Sequence, residues 1–330
     1  LVMLDDDVLF EVHEPHPRPK GINLRDEIRE AQFFGEQGGW SGLKPRPELD
    51  PVKAHLFCLG LPVRQAMNRL GVSALLPEHL AGISPGQVRR FDGTRPVRVT
   101  QSGSLGDPGV GNNTWLIELT GESREKMLAS DESAQCAIDN RNAWIGRKQP
   151  QFSERSNMSQ TMGLDNRQFL PPYLPIQRSE DRLFGILLNA CYPNTNVLDY
   201  PWACPHIPIE ERGRGDGPSQ FGRERSFPAF FRSWIAIQVE KGTADGSALD
   251  SEQVASLFEL LAKRNAGQLM EMHRDDCLRS LSEDLYAIGN QVAANANQPK
   301  PWQRYLDAGF VAADKALVNK LSPRLKVGGK

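Results

Sequence analysis

Four apolar residues, Leu1-Val2-Met3-Leu4, run directly into three consecutive carboxylates, Asp5-Asp6-Asp7. This junction limits the fold more than any other stretch of the chain. A short apolar run reads as a buried strand. Three adjacent aspartates repel one another, and the repulsion grows as they lose water at the end of such a strand. The position is also the one where α/β proteins bind ligands, outside the carboxyl edge of the sheet. A hard divalent cation offsets the repulsion, because Mg²⁺ and Mn²⁺ prefer oxygen ligands and keep positions open for phosphate oxygens. The competing reading is an exposed acidic turn after a strand. The apolar start is too short, and too soon acidic, to serve as a secretory leader, so a cytoplasmic location is expected.

Composition narrows the classes further. Lys+Arg 39 against Asp+Glu 41 leaves a formal net charge of −2. No overall cationic field is available for nucleic acid, and no nucleic-acid partner is expected. No segment reaches the roughly 18 uninterrupted apolar residues of a membrane span. With Gly 29 and Pro 24, turns are too frequent for an all-helical bundle. The five cysteines, Cys58, Cys136, Cys191, Cys204 and Cys277, contain no C-x-x-C pair. Neither a zinc cage nor a disulfide framework is indicated, and reduced, buried or idle thiols are expected.

Along the chain, residues 1–4 and 8–10 read as strands flanking the aspartates. A proline-punctuated loop follows at His13–Pro19, with helices over Asn23–Phe34 and Pro62–Leu70. A short strand is expected at Val97–Gln101, then the glycine-rich run Gly103–Gly111. A strand at Thr114–Leu119 and a helix at Ser123–Asn140 come next, with loop over Met158–Pro175. Ser179 is an N-cap candidate for a helix opening on Glu180 and Asp181, with Leu183, Ile186, Leu187 and Ala190 as its apolar face. Periodic apolar residues beyond Phe227 mark further amphipathic helices. The expected organisation is an α/β part over 1–212, a flexible connection over 213–225, a helical domain over 226–322 and a disordered tail over 323–330.

The order of the two acidic motifs carries a family resemblance. Leu4-Asp5-Asp6-Asp7-Val8 resembles the Asp-x-Asp motif that ends a buried strand in metal-dependent GT-A glycosyltransferases. Arg178-Ser179-Glu180-Asp181-Arg182 resembles the helix start that supplies the general base in inverting, family-2-type members. The resemblance implies an α/β fold, the later half of a GT-A-like nucleotide-diphospho-sugar transferase domain, followed by an α-helical C-terminal region. It implies Asp5 and Asp7 as ligands of Mn²⁺ or Mg²⁺, with Asp7 the more direct, and Asp181 as the base with Glu180 as its neighbour or substitute. A carboxylate at a helix N-terminus is expected to have its pKa lowered somewhat. The implied partners are a nucleotide-diphosphate sugar donor and a hydroxyl-bearing acceptor: a glycan, a lipid or a small molecule. Members of the family hold the nucleotide base with residues that precede Asp-x-Asp. The chain is therefore expected to be the later portion of a larger enzyme, inactive alone. No Gln-x-x-Arg-Trp sequence of the processive sugar polymerases is present.

Several residues are placed around this core. His206, in Cys204-Pro205-His206-Ile207-Pro208, is a candidate third metal ligand. Asp6, Arg178, Arg182, Gly106, Asp107, Trp115 and Tyr173 are candidate substrate-binding residues: the arginines for diphosphate, the glycine-rich run for the acceptor side, the aromatics for sugar stacking. Two alternatives stand beside this reading. One is a haloacid-dehalogenase-like phosphatase with Asp5 as nucleophile and Asp275-Asp276 as its later acidic pair. The other is a non-catalytic α/β interaction scaffold.

Overall fold

The computed structural model describes residues 1–17, 20–24, 30–35, 39–80, 83, 88, 91–109, 113–153, 160–174, 180–193, 195–209, 217–243, 247–294 and 297–327, with the backbone alone for Glu78 and for 323–327. The chain is a mixed α/β protein. Among the described residues its sheet has nine strands: β1 (Val2–Leu4), β2 (His13–Pro15), β3 (Glu30–Phe33), β4 (Leu43–Pro45), β5 (Val97–Gly106), β6 (Ala143–Gly146), β7 (Gln151–Ser153), β8 (Thr161–Leu164) and β9 (Asn196–His206). The order is β1-β8-β5-β9-β2-β4, with β6 linking β3 to β5 and β7 beside β9. β8 runs antiparallel to both β1 and β5, and β5 runs parallel to β9. Strands β1, β5 and β9 therefore point the same way, and their carboxyl ends share one end of the sheet.

All ten residues of β5 are buried, as a strand covered on both faces requires. Val97 and Val99, two residues apart, face different cores because the strand's pairing register shifts between them. Val97 packs with Leu198 and Trp202 against Ala54, Cys58, Val63 and Met67, from helices Pro51–Cys58 and Val63–Arg69. Val99 packs with Met162, Leu164 and Val197 against Phe184 and Leu188, from helix Glu180–Cys191. Asp50 caps the first of these helices, its carboxylate accepting from Val52 N and Lys53 N.

By spatial proximity the chain divides into two compact units. One comprises 1–108, 142–211 and 236–254, and the other 109–141, 212–235 and 255–330. The second includes helices Gly121–Met127, Asp131–Asp139, Ala266–Ala293 and Lys300–Val327. Its core holds Trp302 stacked on Tyr305, with Phe221 edge-on to Tyr305. Among the described residues no helix is long and apolar enough to cross a membrane.

Several local expectations change. Residues 8–10 form no strand, and Val8 makes only a bridge to His206. His13–Pro15 is a strand rather than loop. Glu30–Phe33, expected as helix, is strand paired with β6, and 25–29 lie outside the described residues. The Val97 strand runs on through Gly106, into the glycine-rich run. Thr114–Glu118 is a 3₁₀ turn, not a strand. The helix expected over 123–140 is two helices, the second capped by Ser130. β8 lies within the expected 158–175 loop. Within the expected flexible connection, Gly217–Gly222 is a 3₁₀ turn with Gln220 and Phe221 buried. The helix Lys300–Val327 continues through most of the expected disordered tail. Ser179, the expected N-cap, lies outside the described residues.

Candidate metal and carboxylate site

The turn after β1 carries the acidic tripeptide across to the end of β9. Asp5 N donates to Gln160 O at 3.0 Å, prolonging the β1–β8 pairing. Val8 then bridges His206 in antiparallel fashion. Leu9 N donates to Pro205 O at 2.8 Å, and Ile207 N donates to Asp7 O at 2.9 Å. This backbone stitching brings Asp5, Asp7 and His206 together, with one ligand atom from each within 4.8 Å of the others. Asp7 Oδ1 and His206 Nε2 are 2.8 Å apart.

The histidine is held by main chain. His206 is buried, and its Nδ1 lies 2.6 Å from the carbonyl oxygen of Asp107. A carbonyl can only accept, so Nδ1 carries a proton. Asp107 N returns a bond to His206 O at 3.1 Å. Gly106 permits this approach. Its φ is +88°, and a Cβ there would sit 2.6 Å from His206 O. With Nδ1 engaged, Nε2 faces Asp7. It bonds to that carboxylate when protonated, and its lone pair joins the carboxylates as a ligand when a cation takes the proton's place.

Helix Glu180–Cys191 contributes the second pair of acids. It buries Leu183, Phe184, Leu187 and Leu188, which fixes Glu180 and Asp181 at its first turn. Burial, together with the Glu180 and Asp5 carboxylates, pushes Asp181 up to about 6, with no cationic group among the described residues opposing it. The expected lowering by the helix end is overturned: loss of water and two like charges hold Asp181 above the usual carboxylate range. Burial also pushes Asp5 up. His206 pulls against that rise, and Asp7, Asp6 and Glu180 add to it. Glu180 Oε2 is buried without a hydrogen-bond partner among the described residues. A crowd of carboxylates that is partly desolvated and holds an unsatisfied oxygen fits a small divalent cation with oxygen-rich ligands.

The other expected residues fall as follows. Tyr173 is half-buried and stacks on Phe184 with ring centroids 4.1 Å apart. Its hydroxyl is 3.3 Å from Met162 Sδ. Burial raises the phenol's pKa, and Asp181, Asp5 and Glu180 add to the rise, so Tyr173 lies beside the carboxylates. Asp6 is exposed, and Arg182 is exposed on the helix. Arg178 lies outside the described residues. Gly106 and Asp107 meet His206 through their backbones. Trp115 belongs to the other compact unit. Gln160 is an addition that the sequence did not point to. It is buried, its Nε2 donates to Asp107 O at 3.0 Å, and its Oε1 has no partner among the described residues. Its only sequence signal is its place just before the short strand Thr161–Leu164.

Compared with known protein families, curated proteins and solved structures, the chain matches none.

Proposed function

We propose that the chain carries the metal and acceptor side of a GT-A-like glycosyltransferase, moving a sugar from a nucleotide-diphosphate donor to an acceptor hydroxyl with inversion. One observation carries this reading: the Asp5–Asp7–His206 ligand group shares the carboxyl end of the sheet with a helix-borne carboxylate, Asp181, raised to about 6. Asp5, Asp7 and His206 would hold Mn²⁺ or Mg²⁺, which when bound supplies positive charge against the leaving diphosphate. Asp181 takes the proton of the attacking hydroxyl. A base whose pKa approaches the working pH is suited to that transfer. Glu180 and Asp5 keep Asp181 basic, and helix Glu180–Cys191 holds it rigidly. The ring of Tyr173, half-buried beside the acids, offers a stacking face for the acceptor. Asp6 and Arg182 are exposed near the same turns and are proposed to contact the donor.

Phosphoryl transfer from Asp5 is less well supported. Its later acidic pair would be Asp275-Asp276, which lies in the other compact unit on helix Ala266–Ala293. There Asp276 pairs with Arg225 and Arg279. The test is release of nucleoside diphosphate from a panel of nucleotide sugars by the protein with Mn²⁺ or Mg²⁺. Turnover that requires both Asp7 and Asp181 supports the reading. Turnover that survives Asp7→Ala and Asp181→Ala overturns it.

A further inference from the structure

A second cluster of metal-ligating side chains lies within the helical unit. Helix Ala266–Ala293 places His273 and Cys277 four residues apart, on one face. The segment after the Gly217–Gly222 turn lays residues 224–225 over that face. His273 Nε2 is 2.6 Å from Arg225 O and 3.6 Å from Cys277 Sγ. Cys277 Sγ is 4.0 Å from Glu224 Oε1. One ligand atom each from Glu224, His273 and Cys277 falls within 4.8 Å of the others.

We propose that Glu224, His273 and Cys277 form a zinc site, distinct in chemistry from the all-oxygen-and-imidazole group on the sheet. The spacing fits the ion. Tetrahedral zinc with bonds of about 2.3 Å to sulfur and about 2.1 Å to nitrogen holds those two atoms ~3.6 Å apart, the separation already present between Cys277 and His273. The thiolate selects a borderline-soft cation over Mg²⁺ or Mn²⁺. Charge balances as well, since one thiolate and one carboxylate neutralise a divalent ion. Without an ion, His273 Nε2 donates to Arg225 O; binding breaks that bond, moves the imidazole proton to Nδ1 so that Nε2 coordinates, and releases the Cys277 thiol proton to solvent. Lys320 Nζ, 2.7 Å from Glu224 Oε1, balances that carboxylate when no ion is bound. Three protein ligands leave a fourth position open to water or to the nearby Arg225 carbonyl. No C-x-x-C search finds such a site, because two ligands come from one helical face and the third from a distant segment.

The test is Co²⁺ titration of the intact chain, followed by absorption. The expected result is a thiolate-to-cobalt charge-transfer band with tetrahedral ligand-field bands, both bleached by Zn²⁺. They are lost in Cys277→Ser and retained in Asp7→Asn, which addresses the other group. Because Cys277 is buried and its substitution can disturb folding, Glu224→Gln, at an exposed residue, provides a second arm. With unchanged circular dichroism, it should weaken zinc about 10–100-fold in competition with a chelator. Absence of the charge-transfer band, its survival in Cys277→Ser, or wild-type zinc affinity in Glu224→Gln overturns the assignment.

Discussion

Asp7 Oδ1 and His206 Nε2 stand 2.8 Å apart, joining the turn after the first strand to the end of the last. The histidine reaches this position with its other nitrogen bonded to the Asp107 carbonyl, so its ring orientation is set before any ligand arrives. Asp5 and Asp7 then supply oxygens on a turn that is itself stitched to β9. The arrangement is preorganised by backbone, as the proposed metal binding requires.

His206→Ala and Asp7→Asn should each weaken Mn²⁺ binding by at least about 10-fold, since each removes a ligand from a group of three. Isothermal titration of the chain with Mn²⁺ reads this directly. Wild-type affinity in both variants would separate the cluster from metal binding.

Asp181 should make the metal-free protein less stable as pH rises. Its folded pKa is raised to about 6 from 3.8. The folded state therefore holds the proton more tightly than the unfolded chain, and that advantage is present in acid and lost as pH rises through about 6. Discounted for its partial exposure, the effect is about 1–2 kcal/mol. Asp181→Asn should recover it above about pH 7 and flatten the dependence, as measured by denaturant unfolding with chelator present. The same variant should abolish donor turnover.

His55 acts with the opposite sign. It is fully buried, its ring nitrogens 3.0 Å from Thr100 Oγ1 and 3.1 Å from Thr161 Oγ1. Burial holds its pKa down at about 3, against 6.5 when free. The unfolded chain takes up this proton first, so stability present above 6.5 is lost as pH falls toward about 3. A slope of up to about 1.4 kcal/mol per pH unit is available in that window. His55→Gln should reduce the slope while lowering stability at neutral pH. An unchanged acid limb would show that His55 is not its source.

Gly106→Ala should cost about 1–3 kcal/mol, because a side chain is strained at positive φ and its Cβ would press on the His206 carbonyl. Metal affinity should fall with stability, since the same clash moves the histidine. Urea unfolding and Mn²⁺ titration on one preparation would show whether the two losses travel together.

What could be read from the sequence follows a physical rule. The acidic tripeptide, His206 and the Glu180 helix start announce themselves locally, through charge, proline context and amphipathic spacing. Short strands do not. Glu30–Phe33 is strand only because β6, far along the chain, pairs with it. β8 contains Gly163, where a Cβ would meet Thr100 Oγ1 at 2.5 Å. The glycine that suggests a loop is what lets β8 lie close to β5. Thr114–Glu118 holds the apolar run Trp115-Leu116-Ile117, which reads as a strand, yet Leu116 and Leu119 are the buried pair, the three-residue period of a 3₁₀ turn. The pKa of Asp181 departs from the sequence expectation for a related reason. The helix dipole is visible in sequence, whereas the burial and the neighbouring Asp5 carboxylate arise only from the tertiary fold.

The sheet also dictates when the first site can exist during synthesis. β1 pairs with β8, β2 with β9, and β5 with β9, so each central pairing waits for a segment made much later. The acidic turn leaves the ribosome near the start of this chain and meets its histidine only after β9 has emerged. Until then the aspartates stay in water with no imidazole to close the ligand group. A nascent chain stopped anywhere before His206 can hold individual helices, but it cannot hold this centre.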